Sequence, residues 1–438
     1  MNIPNPTVGS GGRTAQSDHQ SGYYYKGQTF TPATNYHGGV SSVSILAADV
    51  DGNGTVDLIT ANISDSSLTV LTNSGGGNFG PNARYNAPTV EDVVAADLDG
   101  DGKPDLAYAY PGGIVTVTNL GDGRFSPSSS YNLGLSHCLR AADLNGDGAV
   151  DLVAGHGSVL TNTGTGQFVL SYSTTFSTDL SLVLADVNGD GLPDWVEAVP
   201  NALVVLTNAG NGQFAIMATN TLVRPGTICA IDAKHNGRAD IIVPRFDPSA
   251  GISILVMTND GSGFLGSNTV YIVQKSPTCV TAADVNGDGL VDLLCSGPSS
   301  YASVLLNDGA GSFTNGASLV VEAGAQCIIA ADLDGDGRLD LATANYSPNN
   351  VSLLFNQTSF PPAAATPSVT IARLGPHFFV SWPSDLPGWT LQKSSSGLVT
   401  PNWGPGGYDG YPITDDGTNQ SLRVIPSGET AVFRLLHP

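Results

Sequence analysis

The chain has 438 residues, a formal net charge of −22 at pH 7 and only 12% charged residues, with 54 glycines. The acidic balance argues against nucleic acid as a partner, because nucleic-acid binding requires a basic face. No apolar run reaches the roughly 18 residues that a membrane-spanning helix needs, so the sequence predicts no membrane span.

Residues 1–28 are rich in Gly, Ser, Asn and Gln, and we expect them to form a flexible lead. They lack the apolar core of a signal peptide. From residue 29 onward, short Val, Ile, Leu and Thr segments alternate with clusters of Gly, Asn, Asp and Ser. This alternation is typical of an all-β protein.

Acidic nonapeptides recur along the chain, and 332–340 is the clearest of them. Its carboxylates would repel one another unless a cation lay between them, and Ca²⁺ prefers six to eight oxygen ligands. A period of 40 to 50 residues indicates a repeat architecture. Seven such loops begin at intervals of 43 to 52 residues, at Asp49, Asp97, Asp143, Asp186, Asp232, Asp284 and Asp332.

One repeat can be followed from residue 93 to residue 131. The pattern predicts strands over 93–96, 106–109 and 114–117, with the second acidic loop between the first two. An Asn-x-Gly-x-Gly-x-Phe turn then leads into a fourth strand that ends near Tyr131. Four antiparallel strands in each repeat are typical of a β-propeller blade.

The Asn-x-Gly-x-Gly-x-Phe turn recurs, and we expect its Phe to fill the gap between neighbouring blades. The last blade lacks an outer strand, which the segment near residues 29–36 would supply, closing a ring of seven blades. The copies span 73–79, 119–125, 162–168, 208–214 and 307–313, with a shortened form at 259–264 and a truncated one at 356–360.

The paired motifs, Ala-Ala-Asp-x-Asp-Gly-Asp-Gly-x-x-Asp-Leu and Asn-x-Gly-x-Gly-x-Phe, resemble the FG-GAP/VCBS repeats of integrin α-subunit propellers and many secreted bacterial proteins. The resemblance covers residues 29–360. It implies an all-β, seven-bladed propeller and bound calcium, with side-chain ligands at loop positions one, three, five and nine and a backbone carbonyl at position seven.

Carried onto this sequence, the pattern implies about six Ca²⁺ per chain with a structural role. The implied ligands are Asp49, Asp51, Asn53 and Asp57; Asp97, Asp99, Asp101 and Asp105; Asp143, Asn145, Asp147 and Asp151; Asp186, Asn188, Asp190 and Asp194; Asp284, Asn286, Asp288 and Asp292; and Asp332, Asp334, Asp336 and Asp340.

The fifth loop, 232–240, departs from the pattern because Lys234 stands at position three. Its ammonium could reach Asp232 or Asp240 and replace the ion, so we expect no calcium there. An EF-hand is disfavoured, since it needs flanking helices and a Glu at position twelve. A plain Asp-Gly turn without metal remains the alternative for every loop.

A Pro/Ala linker is predicted over 361–367. Residues 368–438 resemble a small β-sandwich found on secreted bacterial proteins, through a Ser-Trp-Pro, Gly-Trp-x-Leu-Gln and Phe-Arg-Leu series. Open calcium loops suit millimolar extracellular Ca²⁺. We therefore expect a secreted protein, extracellular or at the cell surface, whose signal peptide is absent from this chain.

Five cysteines make an odd number, which excludes a complete disulfide framework. We expect them to be small buried hydrophobes. A disulfide between Cys279 and Cys295, across one hairpin, stays open.

Ligand recognition is expected on the loops that vary from repeat to repeat, away from the acidic loops. Tyr rings with carboxylates suit sugars, although most such residues could simply be solvated. The sequence favours a non-catalytic binding or adhesion module for a glycan or a cell-surface protein, with no catalytic residue assigned. The alternatives are a polysaccharide lyase or hydrolase and an assembly component of a surface layer. The candidate residues are Glu91, Asp92, Tyr108, Tyr110, His137, His156, Arg245, Tyr301 and Tyr346.

Overall fold

The computed structural model describes residues 29–80, 83–174, 180–222, 224–247, 251–261, 263–273 and 277–358, and six strands between residues 370 and 436. The chain divides into two compact units, Met1–Thr358 and Ser359–Pro438. The described residues form 34 strands and no helix, and so include no helix that could cross a membrane. The expected lead and linker lie outside the described residues.

Twenty-eight strands belong to the first unit. They are β1 (Thr34–His37), β2 (Ser42–Ala48), β3 (Asp57–Asn62), β4 (Ser67–Leu71), β5 (Ala83–Asn86), β6 (Asp92–Ala96), β7 (Asp105–Tyr110), β8 (Gly113–Asn119), β9 (Phe125–Asn132), β10 (Leu139–Ala142), β11 (Asp151–Ala154), β12 (Ser158–Asn162), β13 (Phe168–Ser173), β14 (Ser181–Ala185), β15 (Asp194–Val199), β16 (Ala202–Asn208), β17 (Phe214–Thr221), β18 (Cys229–Ile231), β19 (Asp240–Asp247), β20 (Gly251–Asn259), β21 (Leu265–Ile272), β22 (Cys279–Ala283), β23 (Asp292–Ser296), β24 (Tyr301–Asn307), β25 (Phe313–Val320), β26 (Ala325–Ala331), β27 (Asp340–Asn345) and β28 (Asn350–Leu354).

These strands form seven four-stranded antiparallel sheets, the blades of a propeller. Blades 1 to 6 are β2–β5, β6–β9, β10–β13, β14–β17, β18–β21 and β22–β25. Blade 7 is β26, β27 and β28 with β1 added at its outer edge. The first strands of successive blades neighbour one another around the ring, so the first strand of each blade is the innermost. The predicted seven-bladed fold is confirmed.

The N-terminal strand closes the ring. In the register of β1 with β28, Thr34 lies opposite Leu353 and His37 opposite Asn350. Just before β1, Phe30 pairs with Asn356, so it takes the position that Phe holds after the Asn of the other turns. Blade 7 is therefore built from both ends of the first unit, as the sequence predicted.

Apolar clusters between neighbouring blades form the core. Tyr on the outer strand of one blade meets Phe at the turn of the next, with ring centroids 5.6–5.8 Å apart in edge-to-face geometry. This confirms the expected place of Phe between blades. The pairs are Tyr36–Phe79, Tyr85–Phe125, Tyr131–Phe168, Tyr172–Phe214 and Tyr271–Phe313.

Blade 5 differs from the sequence prediction. Asn259 pairs with Leu265, which is 3% exposed, whereas Phe264 is 58% exposed. The motif appeared shortened at 259–264 because Phe264 precedes the inter-blade position by one residue. Since successive strand residues face opposite sides, Leu265 fills the gap that Phe fills elsewhere.

The outer strands of blades 2 to 6 each carry a register shift against their neighbour. In blade 2, Thr116 lies opposite Ser129 but Val117 lies opposite Pro127, which leaves one extra residue on the outer strand. The same one-residue excess occurs in the four blades that follow. An excess of this kind is a β-bulge, which bends the strand and increases its twist.

The predicted possibility of a Cys279–Cys295 disulfide is wrong. Along the β22–β23 ladder, Cys279 lies opposite Ser296 and Cys295 lies opposite Val280. Adjacent ladder positions face opposite sides of a sheet, so Cys279 packs in the core towards blade 7 and Cys295 in the core towards blade 5. All five cysteines are free thiols.

The second unit contains a four-stranded antiparallel sheet, in the order β29-β30-β33-β32, and a β31–β34 pair. That these sheets form a β-sandwich stays a prediction. The strands are β29 (Thr370–Leu374), β30 (His377–Pro383), β31 (Thr390–Ser394), β32 (Ile413–Asp415), β33 (Asn419–Val424) and β34 (Val432–Leu436).

Candidate metal centres and the opposite face

Each acidic loop connects the first and second strands of a blade, and in blades 1 to 6 each glycine-rich turn connects the third and fourth. Because strand direction alternates, loops and turns lie at the same end of the strands, which we call the acidic-loop face. The remaining hairpins and the connections between blades lie at the other end, which we call the opposite face.

Position one of each loop organises the turn itself. In the second loop, Asp97 Oδ1 accepts from the backbone N–H of Gly100 at 2.8 Å, and Oδ2 accepts from that of Gly102 at 2.9 Å. Both glycines have positive φ, 81° and 85°, a conformation that glycine adopts without strain. The loop is therefore held in shape by backbone hydrogen bonds to one carboxylate.

Position nine ties the loop to the glycine-rich turn of its own blade. Asp105 is 1% exposed, and its carboxylate accepts from the N–H of Leu98 at 3.1 Å and of Asn119 at 2.7 Å. Burial raises the pKa of these ninth-position carboxyls, to about 7 for Asp292 and about 6 for Asp340. A cation in the loop would offset this cost of burying a carboxylate.

Positions three and five are more exposed and complete the acidic groups. Carboxylate oxygens lie within 4.8 Å of one another in three groups that could hold a metal ion. Two oxygens on one Ca²⁺ are at most about 5.2 Å apart, so this spacing fits a single ion. The groups are Asp49, Asp51 and Asp57; Asp97, Asp99 and Asp101; and Asp332, Asp334 and Asp336.

The third, fourth and sixth loops carry Asn at position three. In the third loop, Asn145 Nδ2 donates to Asp147 Oδ2 at 3.0 Å, while its amide oxygen accepts from the N–H of Asp147 at 2.9 Å. The fourth and sixth loops repeat this arrangement. These loops have one carboxylate fewer than the second and seventh loops, so we expect them to bind a cation more weakly than those two.

The fifth loop keeps positions one and nine but changes position three. Asp232 accepts from the N–H of Asn236 and Gly237, and Asp240 accepts from that of Asn259 at 2.7 Å. Burial raises the pKa of Asp240, while the nearby charge of Lys234 opposes that rise. The fifth loop thus keeps the backbone contacts of positions one and nine although Lys234 stands at position three.

The Asn of the glycine-rich turn links neighbouring blades. Asn119 Nδ2 donates both to Pro104 O in its own blade and to Val50 O in blade 1, each at 3.0 Å. Sequence reasoning treated this Asn only as a turn residue. The turn Asn residues that cross to the preceding blade are Asn73, Asn119, Asn162, Asn208, Asn259 and Asn356.

We expect Asn119→Ala to lower the free energy of unfolding by roughly 1–3 kcal/mol, because it removes the side-chain donor to Pro104 O and one of the two donors to Val50 O, the other being the N–H of Gly123. Urea unfolding followed by tryptophan fluorescence measures the loss. The matched control is Asn307→Ala, since the hydrogen bonds of Asn307 in the described part of the chain all stay within blade 6. Equal losses in the two variants would contradict the inter-blade role.

The opposite face brings four predicted ligand residues together between blades 2 and 3. Glu91 Oε2 and His137 Nδ1 lie within hydrogen-bonding distance of each other, and the ring of His137 lies 6.2 Å from that of His156. Asp92, the neighbour of Glu91, accepts from Ser44 Oγ at 2.8 Å and Arg140 Nη1 at 2.9 Å. Asp92 therefore joins blades 1, 2 and 3.

The other predicted ligand residues lie in three different places. Tyr108 is 6% exposed and packs in the core between blades 1 and 2, so a ligand cannot reach it. Tyr110 lies at the end of β7, beside this cluster's strand β6. Arg245, Tyr301 and Tyr346 belong to blades 5, 6 and 7, away from the cluster around the ring.

Two features of the site were missed from sequence. Arg140 pairs with Asp92, which lies 48 residues earlier, and only the side-by-side placement of blades reveals the partner. On the acidic-loop face, a cleft of about 230 Å³ separates the second and third loops and is lined by Asp97, Gly100, Asp147 and Gly148 among others. No local sequence pattern signals a cleft between two loops.

A model of the FG-GAP-like repeat matches five overlapping or separate stretches, residues 49–108, 97–154, 143–197, 186–243 and 284–343. Each stretch runs from one acidic loop into the second strand of the next blade. Together the matches cover more than half of the chain. No curated protein sequence matches the chain.

Solved propellers are similar in structure. One is an Agrocybe aegerita lectin described as recognising non-reducing terminal N-acetylglucosamine, with 21% identity, a TM-score of 0.50, and coverage of 73% of this chain and 87% of that one. Another is BBS1N in complex with ARL6DN, with 14% identity, a TM-score of 0.57, and coverage of 77% and 98%. At these identities the likeness shows the fold alone.

Proposed function

The chain belongs to the FG-GAP-like repeat family, and from that membership we propose that it is a secreted, calcium-stabilised propeller that binds a glycan without cleaving it. The observation that carries the glycan proposal is the cluster of Glu91, His137 and His156 on the opposite face. A lectin with the same fold supports it.

The cluster has the chemistry that sugar hydroxyls require. A carboxylate accepts hydrogen bonds, an imidazole donates or accepts them, and a Tyr such as Tyr110 offers a ring face. The side chains of His137 and Glu91 are 36% and 19% exposed, so solvent reaches both. His156 has a φ of 66°, a conformation that is uncommon outside glycine and that clusters at functional sites.

Calcium is proposed as a structural ion of the acidic loops, about six per chain, with the fifth loop excluded. The three compact carboxylate groups support this assignment. Extracellular calcium, at millimolar concentration, would fill open loops of this kind, which supports secretion. In this proposal the acidic loops stabilise the blades, and the opposite face binds the glycan.

The test is a glycan array probed with the calcium-loaded chain, followed by titration calorimetry on the strongest glycan. We expect His137→Ala to weaken binding at least tenfold, because it removes one partner of the Glu91 pair and one hydrogen-bonding ring. The matched control is His235→Ala, which removes an exposed imidazole from the acidic-loop face. The control should bind as the parent chain does.

Other outcomes point elsewhere. An unchanged glycan affinity in His137→Ala would show that the glycan binds elsewhere. The cleft between the second and third loops would then be mutated next. Shortened glycan products would replace the binding proposal by a polysaccharide-degrading enzyme that uses the Glu91–His137 pair as acid and base. No binding to any glycan would contradict the proposal and favour a protein partner or an assembly role.

A further inference from the structure

One position on the third strand of each blade is apolar in six blades and polar in blade 2. It lies three residues before the Asn of the glycine-rich turn, and in blade 2 it is Thr116. The six apolar residues are at most 1% exposed and pack in the core between their own blade and the next. They are Val70, Val159, Val205, Val256, Val304 and Leu353.

Thr116 has nearly the shape of Val but carries a hydroxyl group. The residue is 2% exposed, and its Oγ1 has no hydrogen-bond partner among the described residues. A buried hydroxyl without a partner destabilises the folded chain, because it has lost its water and gained nothing in exchange. A polar residue at a position that Val fills in five other blades therefore points to a ligand for this hydroxyl.

Thr116 lines a pocket of about 70 Å³ between blades 2 and 3. Blade 2 also contributes Leu98, Asp99 and Asp105 of its acidic loop, and blade 3 contributes residues 165–167 of its glycine-rich turn. One water molecule needs about 10–15 Å³ of such a volume, so the pocket has room for a group of several atoms.

The walls of the pocket are held by contacts between the two blades. Asn162 Nδ2 of blade 3 donates to Leu98 O at 2.8 Å. The turn also packs closely on the loop, since a Cβ added to Gly166 would lie 3.3 Å from Asp99 Cβ. The pocket is therefore formed before a ligand arrives, which lowers the entropic cost of binding.

The charge of the pocket favours a cation. Among the described residues that line it, two are Asp and none is Lys or Arg. Lys103 lies elsewhere, because it pairs with Asp101 and its stem packs against Gly121 of its own blade. The second loop has four Asp residues and one Lys, so its formal charge stays negative even when one Ca²⁺ is bound.

We propose that this pocket, the Thr116 pocket, binds a primary alkylammonium group. An ammonium has three N–H donors and no acceptor, which suits a hydroxyl oxygen beside two carboxylates. Leu98 and Val117 supply apolar surface for the methylene stem. A small free amine and the side chain of a lysine carry this same group.

The test is ligand-observed NMR on the full, calcium-loaded chain, with n-propylammonium as the probe and no other primary amine in the buffer. Saturation transfer from the protein detects binding, and a titration gives a dissociation constant that we expect in the millimolar range for so few atoms. Tetramethylammonium has the charge without an N–H donor, and 1-propanol has the stem without the charge. We expect neither to bind.

Thr116→Val gives the pocket the residue that five other blades use, so the variant should fold. It should weaken propylammonium binding at least about tenfold, because it removes one acceptor. Without the amine it should melt roughly 1–3 °C higher than the parent chain, since the unpaired hydroxyl is gone. A Thr116 with a purely structural role would give a lower melting temperature instead.

The matched control is Val159→Thr, the reverse change at the same position of blade 3. It places a hydroxyl in the apolar cluster between blades 3 and 4. This variant should melt at a lower temperature and bind propylammonium as the parent chain does.

A Gly-Lys-Gly peptide with blocked ends separates the two sources of the ammonium group. Binding at least as tight as that of propylammonium would assign the pocket to a lysine of a protein partner. Binding of propylammonium without the peptide would assign it to a free amine. Either result supports an ammonium pocket.

Several results would overturn the proposal. An equal affinity for tetramethylammonium or 1-propanol, or an unchanged propylammonium affinity in Thr116→Val, would reject the assigned chemistry. Binding seen only in EDTA would place the amine in the acidic loop itself. No saturation transfer would leave the pocket to ordered water. Because these measurements involve neither a glycan nor His137, their failure would be distinct from failure of the proposed glycan site.

Discussion

Chelation of calcium with EDTA should lower the melting temperature of the chain by more than about 10 °C. An ion that binds only the folded state adds about 2.7 kcal/mol when its concentration is a hundredfold above the dissociation constant. Six loops filled to that level would contribute roughly 16 kcal/mol, which exceeds the stability of many domains. Differential scanning calorimetry with and without EDTA, then with calcium restored, measures the effect.

The physical reason lies in the buried carboxylates at position nine. Burial raises their pKa, which means that the folded chain without ions disfavours their charged form. Calcium stabilises that charged form. Identical melting in EDTA and in calcium would contradict the assignment and leave the loops as plain turns.

Two matched variants separate the ion from the turn. Asp336 and Asn236 both stand at position five, and each accepts a hydrogen bond from the backbone N–H at position seven. Asp336→Ala should lower the melting temperature in calcium but much less in EDTA. Asn236→Ala, in the loop with Lys234, should cost the same small amount in both conditions. Calcium sensitivity of Asn236→Ala would contradict the exclusion of the fifth loop.

Deletion of residues 29–37 should reduce the free energy of unfolding by more than about 4 kcal/mol or prevent folding. The deletion removes β1 and the Phe30–Asn356 pair, and with them the Tyr36–Phe79 contact to blade 1. Val351 and Leu353, both fully buried in β28, would lie on an open sheet edge. Urea unfolding and size-exclusion chromatography report the loss of stability and any association.

A second deletion serves as the control, and a peptide serves as the rescue. Deletion of residues 1–28 alone should leave the urea midpoint unchanged. A synthetic peptide of residues 29–37 added to the shortened chain should restore stability in proportion to its concentration, since it supplies the missing strand. An unchanged midpoint after deletion of 29–37 would show that blade 7 is stable with three strands.

The sequence carried enough information for the blade number and the closure because the signals are local and repeated. Each acidic loop and each Asn-x-Gly-x-Gly-x-Phe turn marks a fixed point of one hairpin, so their spacing alone orders the strands. The unmatched half-motif near Phe30 then predicted the closing strand, which the structure confirms.

The details that sequence did not predict depend on how one blade meets the next. Tyr108 was predicted to contact a ligand, yet its side chain turns into the core shared with blade 1. Asp92 looked like a free ligand, yet it pairs with Arg140 of the following blade. The hydrogen bonds that the turn Asn residues donate to the preceding blade were also not predicted, because they too depend on the neighbouring blade. The metal ligands remain a prediction, supported by three compact carboxylate groups.

The bulges on the outer strands bear on how this chain behaves when it is concentrated. An outermost strand leaves a row of unpaired N–H and C=O groups, which can recruit a strand from another molecule. The extra residue in blades 2 to 6 interrupts that row and twists it, so a second strand cannot stay in register along it. Apolar side chains such as Val169 and Ile216 are exposed on these outer strands. The bulges make it harder for such strands to pair regularly with those of another molecule and aggregate.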